Sequence, residues 1–504
     1  MESQRNRGFA LMICKSALAA YQHAFQAPGA QKIHGALYSN ISATCLHLSK
    51  PGRAYLSAKA ALSANLDEPN LVAKALFRQA SAAYELRCFN EAELLFKHGL
   101  TVARSNEKAR VLVKEFDECL ARTSQRLRER DTGSYDLEAM FLDIVAGGPN
   151  TRIDVADFVG PVEIRSSHSG SRGLYTTRDI AIGELLFVNK AISVASETEP
   201  EIQNVTLMAF NLVNNRLRDV AHVLNTTRLI HSCIDNPAFH DTICHLYDGN
   251  PPLAPSQPPL RMIDTEKQVL NHLGVVKDVD VGQIERIIAF NSFGDPPLKP
   301  YIDTSSHTAA GSSANCLKET KNLSLFYLSS FCNHSCVPNA QRTLLGDAMV
   351  VRALLPLSRG DEITLGYRGL DVSVDEREET LERGFGFRCD CWYCREEKMD
   401  GEEARKKRKK LVGIALPKAI ALVQQAIGKA RNGNYDAALF SAAFKAMEDV
   451  KSKVEATYHP DRGSLRPEMS FVWRGFSELY LAKEIRKSIE VLHFLYFPRL
   501  LFLG

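Results

Sequence analysis

The 504-residue chain has little charge of one sign and few long apolar runs. Its 62 Lys and Arg nearly cancel 59 Asp and Glu, and the resulting net charge of +3 is too small for a nucleic-acid binder held by bulk electrostatics. Nucleic acid is therefore not expected as the main ligand. The opening "MESQRNRGFALMICKSALAAYQ" has a short apolar stretch cut by Lys15, which suits neither a signal peptide nor a spanning helix. No other run reaches membrane-spanning length, so no membrane association is expected. Without a secretory leader the 12 cysteines are expected to be reduced thiols in the nucleus or cytoplasm, where clustered cysteines bind metal more often than they pair.

At this length two to four domains are expected, and 45% apolar with 24% charged residues describes a globular chain. Residues 8 to 130 are rich in Ala and Leu, almost free of Pro and Gly, and apolar at helical spacing. Within them "AKALFRQASAAYELRCFNEAELLFKHGLTVAR" sets small Ala80, Ala92 and Gly99 against large Phe89 and Phe96, as in a tetratricopeptide helix pair. A looser unit precedes it, so residues 1–135 are expected to form a short solenoid with a possible protein partner. Cys14, Cys45, Cys88 and Cys119, scattered singly in this region, are expected to be small core residues.

Near residue 150 Gly, Pro and β-branched residues increase. "VEIRSSHSGSRGLYTTRDIAIGELLFV" alternates like strands around a glycine turn. Helical sequence returns at 200–248 and 264–290, with polar, Pro-rich loops after each stretch. Short strands are expected in "AMVVRALLPLSRGDEITLGY", and helices again from about Leu411, giving a C-terminal helical region over 410–504. The final "VLHFLYFPRLLFLG" is expected to leave an apolar surface that needs a partner.

The strongest chemical signal is "RGFGFRCDCWYC". Cys389, Cys391 and Cys394 are too close for three separate core roles and one short of a tetrahedral zinc site. Cys336, in "FCNHSCVPNA", is the expected fourth ligand, with Cys332 the alternative.

These segments, with "SGSRGLYTTRDIAIGELL", "FNSFG" and "GDEITLGY", resemble in order and content the SET-domain protein lysine methyltransferases. They are most similar to the branch in which an insertion splits the SET domain and helical repeats end the chain, as in SMYD proteins and fungal repeat-plus-SET proteins. One departure is plain: where SMYD proteins carry a MYND zinc finger, "KAISVASETEPEIQNVTLM" has no cysteine. The resemblance covers about residues 160–398. It implies an α+β fold: small sheets with a threaded C-terminal segment over 160–383, a helical insertion at about 196–290, and a zinc-binding segment at 384–398.

It further implies S-adenosylmethionine as methyl donor. Gly170, Ser171 and Arg172 match a glycine turn that lets the backbone approach the donor's amino-acid end. Asn291 matches an asparagine at that same end. Asn333 and His334 match the pair at the adenosine portion, Phe387 an aromatic stacked on adenine, and Tyr367 the catalytic tyrosine, which also touches the cofactor. Pro338 and Asn339 would shape the crossing of one segment through another, an exception to the avoidance of threaded loops.

Near Tyr367 nothing suggests a nucleophile with an adjacent base, so covalent catalysis has no support in the sequence, and Glu362 is read as a structural hydrogen-bond partner. The basic run 405–410, "RKKRKK", is either a localisation signal or the solvated start of a helix, and "YHPDRG" is read as a turn between C-terminal helices. Two functions follow. The chain either methylates lysine on a histone or other protein, or serves as an adaptor whose SET fold binds partners without turnover.

Overall fold

Helical spacing of small and apolar residues becomes a run of antiparallel helices in the computed structural model. It describes residues 2–27, 30–64, 66, 68–147, 151–167, 172–196, 198–199, 202, 208–211, 216–250, 258–261, 266–294, 322–370, 372–432 and 434–483. In chain order the N-terminal helices are α1 (Glu2–Ala24), α2 (His34–His47), α3 (Pro51–Ser63), α4 (Pro69–Glu85), α5 (Phe89–Ser105), α6 (Val113–Thr132) and α7 (Leu137–Gly147). Pro51 and Pro69 open α3 and α4, where a missing N–H is harmless. The pair read as a repeat unit is α4–α5, and its small residues Ala80 and Ala92 are fully buried. Gly99 is small because a Cβ there would lie 2.4 Å from the Phe116 ring.

The chain divides into two compact units: residues 1–177, 185–331 and 342–351, and residues 178–184, 332–341 and 352–504. In the first unit the N-terminal helices are followed by β1 (Phe158–Val159), β2 (Val162–Ser166), β3 (Arg172–Thr176), β4 (Leu185–Lys190) and β5 (Ser193–Ser196). β2 and β3 form the expected antiparallel pair, with Ile164 opposite Leu174. A hairpin of β6 (Ala209–Asn211) and β7 (Arg216–Arg218) follows, with Phe210 opposite Leu217. It interrupts the stretch 200–248 that was expected to be helical, and "RLR" within it alternates polar and apolar at strand period. The rest of the insertion is helical: α8 (Val220–Asp235), α9 (Pro237–Ile243), α10 (Glu266–His272) and α11 (Val281–Asn291). β8 (Ser292–Phe293) and β9 (Asn322–Leu325) join β5 in a three-stranded sheet.

The insertion is fastened to the N-terminal helices by carboxylates. Asp235, at the end of α8, accepts the first two backbone N–H groups after Pro51, from Gly52 at 2.7 Å and Arg53 at 3.1 Å. Glu266, at the start of α10, accepts the N–H of Asn90 and of Glu91 in α5, each at 2.9 Å. Both therefore sit at positive helix ends. Burial nonetheless raises the Asp235 carboxyl above the ordinary range. Ala238, Val269 and Leu273 of the insertion share one core with Ala54, Tyr55 and Phe89 of the N-terminal helices.

The remaining strands are β10 (Asn333–His334), β11 (Ala340–Leu345), β12 (Ala348–Ala353) and β13 (Glu362–Leu365). In the second unit β10 pairs in parallel with β13, His334 opposite Leu365. The unit continues with α12 (Val374–Phe385), α13 (Trp392–Met399), α14 (Glu402–Lys410), α15 (Leu416–Arg431), α16 (Ala437–Glu455) and α17 (Pro467–Lys483). A π-turn over Leu411–Ala415 joins α14 to α15 in one 30-residue helix, Glu402–Arg431. Contrary to the expectation from sequence, this helix is long and apolar enough to cross a membrane, because α15 extends the apolar run behind the charged turn. Its apolar stripe, Leu416, Ala419, Val423 and Ala426, packs with Phe440, Ala443 and Met447 of α16.

The basic run 405–410 lies on α14 and is only partly solvated. Lys406, Lys407, Lys409 and Lys410 are exposed, whereas Arg408 is buried. Its guanidinium pairs with Asp400 at 2.7 Å and Glu468 at 2.9 Å and lies 4.1 Å from the Tyr458 ring centroid. "YHPDRG" forms the connection between α16 and α17, and Arg462 from it also pairs with Asp400. Removing one member of such a buried set strands the other charges. Arg408→Ala should therefore cost about 3 kcal/mol in denaturant unfolding, whereas exposed Lys407→Ala should cost almost nothing. Equal stability of the two variants would contradict a structural role for Arg408. The apolar terminus 491–504 and most of the loop 294–321 lie outside the described residues.

Candidate active site and metal centre

β10 and the turn behind it are ordered by side chains that imitate a strand. The Asn339 amide donates to the Glu362 carbonyl at 2.8 Å and accepts the Thr364 N–H at 2.8 Å. Ser335 N–H donates to Leu365 O at 3.1 Å. The sequence "NHSCVPN" thereby runs along β13 before Cys336 turns away. The Asn333 amide donates to the Glu362 carboxylate at 2.6 Å, so Glu362 has the hydrogen-bonding role expected of it.

Tyr367 follows β13. Its hydroxyl donates to the Cys332 carbonyl at 2.7 Å, and its backbone N–H donates to His334 Nδ1 at 3.0 Å. Around its ring lie Phe385, His334 and Phe387, with centroids 5.0, 5.2 and 6.4 Å away. Phe385 was missed in the sequence. Its signal is "GFGF": Gly386 caps α12 at φ +77°, a left-handed conformation suited to glycine, and both flanking rings join the Tyr367 cluster.

Beside this cluster the Sγ atoms of Cys336, Cys389, Cys391 and Cys394 lie within 4.8 Å of one another. Cys336 is 3.4 Å from Cys394 and 3.9 Å from Cys389. Tetrahedral zinc with zinc–sulfur bonds of about 2.3 Å places its sulfurs roughly 3.8 Å apart, so both spacing and donor type suit zinc. Hydrogen bonding with Cys336 pushes Cys389 strongly down, toward thiolate, while the same interaction pushes Cys336 up. Cys332, the alternative fourth ligand, is outside this group and offers its carbonyl to Tyr367.

The other predicted site residues fall in the first unit. Arg172, at the start of β3, donates to the His245 carbonyl and lies 5.5 Å from the Phe331 ring centroid. Burial lowers its pKa. Asn291, at the end of α11, donates to the carbonyls of Tyr247 and Ile287, each at 2.7 Å. Both residues thus grip the turn after α9. Gly170 and Ser171 lie outside the described residues.

Comparison with known proteins places these features in context. Residues 171–368 match the family model of the SET domain. A Gibberella zeae protein named as a methyltransferase is 28% identical over 400 residues, covering 78% of this chain and 51% of the relative. The chain thus spans about half the length of that relative. A SET and MYND domain-containing protein of Dictyostelium discoideum is 38% identical over 72 residues, 14% of this chain and 17% of its own length. The histone-lysine N-methyltransferase SMYD3 of Homo sapiens is 32% identical over 73 residues, again 14% and 17%. The crystal structure of the SET domain of LSMT bound to lysine and AdoHcy aligns at a TM-score of 0.25 with 11% identity, covering 71% of this chain and 93% of its own, too loosely to place residues.

Proposed function

We propose that this chain, which carries a SET domain over residues 171–368, is a protein-lysine N-methyltransferase that uses S-adenosylmethionine. The observation that carries this reading is Tyr367, anchored through its hydroxyl to the Cys332 carbonyl inside a cage of Phe385, Phe387 and His334. Methyl transfer requires a neutral amine, yet free lysine, with a pKa of about 10.4, is almost wholly protonated at neutral pH. The positive sulfonium of the donor beside the amine would disfavour the ammonium form and lower that pKa. With its proton given to Cys332, the Tyr367 hydroxyl can serve the amine only as an acceptor, which fixes the direction of the nitrogen's remaining lone pair.

S-adenosylmethionine would supply the electrophilic methyl group. Phe387, whose ring is half-buried, suits stacking on its adenine, with Asn333 and His334 along the adenosine. The polar groups of Asn333 and His334 are engaged within their own unit, so they would meet the adenosine largely through backbone and ring faces. Gly170 and Ser171 would complete the amino-acid end. Zinc held by Cys336, Cys389, Cys391 and Cys394 would fix the segment carrying Phe387. The substrate would be a histone or another protein, and the N-terminal helices offer a surface for a protein partner.

The test is to incubate the full chain with methyl-labelled S-adenosylmethionine and a cell lysate, then locate the label by mass spectrometry. Label on lysine side chains of protein is the expected result. Cofactor binding without any label would overturn the enzyme reading and leave the adaptor.

A further inference from the structure

The two nitrogens of the His334 ring serve different masters. Nδ1 accepts the Tyr367 N–H at 3.0 Å, so in the neutral ring the proton sits on Nε2, and Nε2 lies 3.3 Å from Cys336 Sγ. Cys336 is one of the four clustered thiols. The ring is therefore a strut with the sulfur cluster at one end and the backbone of Tyr367 at the other. Its Cα is fixed independently, because His334 pairs with Leu365 in the β10–β13 ladder. Only the ring orientation is left to be decided, and its two hydrogen bonds decide it.

We propose that His334 is a positioning residue which links metal occupancy of the cysteine centre to the placement of Tyr367. This rests on the methyltransferase and zinc readings above. A bound metal fixes Cys336 Sγ in place, and a metal thiolate is a good acceptor for the Nε2–H group. The ring is then held so that Nδ1 meets the Tyr367 N–H. Without the metal, Sγ has no fixed position, the ring loses one of its two anchors, and the amide that sets the Tyr367 backbone loses a fixed acceptor. His334 would thus act in the layer behind the metal ligands, where such partners orient the ligands and strengthen binding. Its role differs from a contact with adenosine, which needs neither nitrogen to face the sulfur cluster.

Two substitutions separate the ends of the strut. His334→Asn retains an acceptor near the position of Nδ1 and loses the donor toward sulfur. His334→Gln retains a donor near the position of Nε2 and loses the acceptor for Tyr367. The measurements are zinc release to a chromophoric chelator, kcat and KM for a peptide substrate at saturating cofactor, and cofactor affinity by calorimetry. Zinc release should be about 10- to 100-fold faster in His334→Asn and close to wild type in His334→Gln. In His334→Gln, kcat should fall by a larger factor than cofactor affinity, with KM for the peptide nearly unchanged. Wild-type zinc release in His334→Asn, or a loss confined to cofactor affinity in both variants, would overturn the proposal. Wild-type protein that holds no zinc, or methylates nothing, would instead refute the reading on which the proposal rests.

Discussion

Cys391→Ser should release zinc from a chain that otherwise holds about one ion, and should loosen the whole segment from Phe385 to Cys394. The effect should be large because the Arg377–Glu397 ion pair holds the far end of α13, while the stretch from Phe385 to Cys394 depends on a small cluster. Its buried cluster consists of Cys336, Val374, Leu381, Cys389, Tyr393 and Cys394, half of them metal-ligand candidates. A structural zinc contributes on the order of 10 kcal/mol, more than a few apolar side chains can replace. Tyr367, Phe385 and Phe387 pack against the same cluster, so methylation should be lost with the metal. Metal analysis gives the stoichiometry, and hydrogen exchange should show lost protection over 385–398 while α15–α17 stay protected. Full zinc content in Cys391→Ser, or none in wild-type protein purified without chelator, would exclude the four-cysteine site.

Tyr367→Phe should reduce kcat roughly a hundredfold, which corresponds to about 3 kcal/mol of lost transition-state stabilisation. The ring and its contacts with Phe385 and His334 are retained, as is the backbone N–H that His334 accepts. What disappears is the hydroxyl between the Cys332 carbonyl and the incoming amine. Cofactor affinity should change little, and so should zinc content. Methylation at the wild-type rate would remove Tyr367 from its assigned role even if lysine proved to be the target. The adaptor reading expects no labelled lysine from either protein, with partner binding that survives the substitution and requires the helical flanks.

Much of this arrangement was legible in the sequence because it is local. The C-x-C-x-x-C spacing brings three thiols together within one short segment, and the strands around the glycine turn follow a period of two. What escaped depends on distance along the chain or on a single dihedral angle. Arg408 looks like its exposed neighbours in a basic run, and only Asp400 and the distant Glu468 decide that it is buried. Phe385 joins the cage through the turn at Gly386, which composition does not reveal. Asn291 and Arg172 were read as ligand contacts, yet their side chains also grip the turn after α9, a pairing set by the fold of the insertion. His334 was read as a contact with adenosine, and the engagement of both ring nitrogens becomes visible only when Cys336 and Tyr367 are placed around it.

The carboxylates of Asp235 and Glu266 give the boundary near residue 150 a different meaning. Composition changes there, but cooperativity does not. The ends of α3 and α5 are closed by side chains about 180 residues further along the chain, and Ala238, Val269 and Leu273 are covered by the N-terminal helices. Such contacts make the N-terminal helices and the insertion one folding unit, opening and closing together. The insertion also carries the turn that Arg172 and Asn291 hold. A change in the length or pitch of the N-terminal helices would therefore be felt at β3 and α11 as well as at residues 154–156, which Tyr84, Arg87 and Glu129 hold directly, and this makes the first 130 residues a template for the strands that follow instead of an appendage to them.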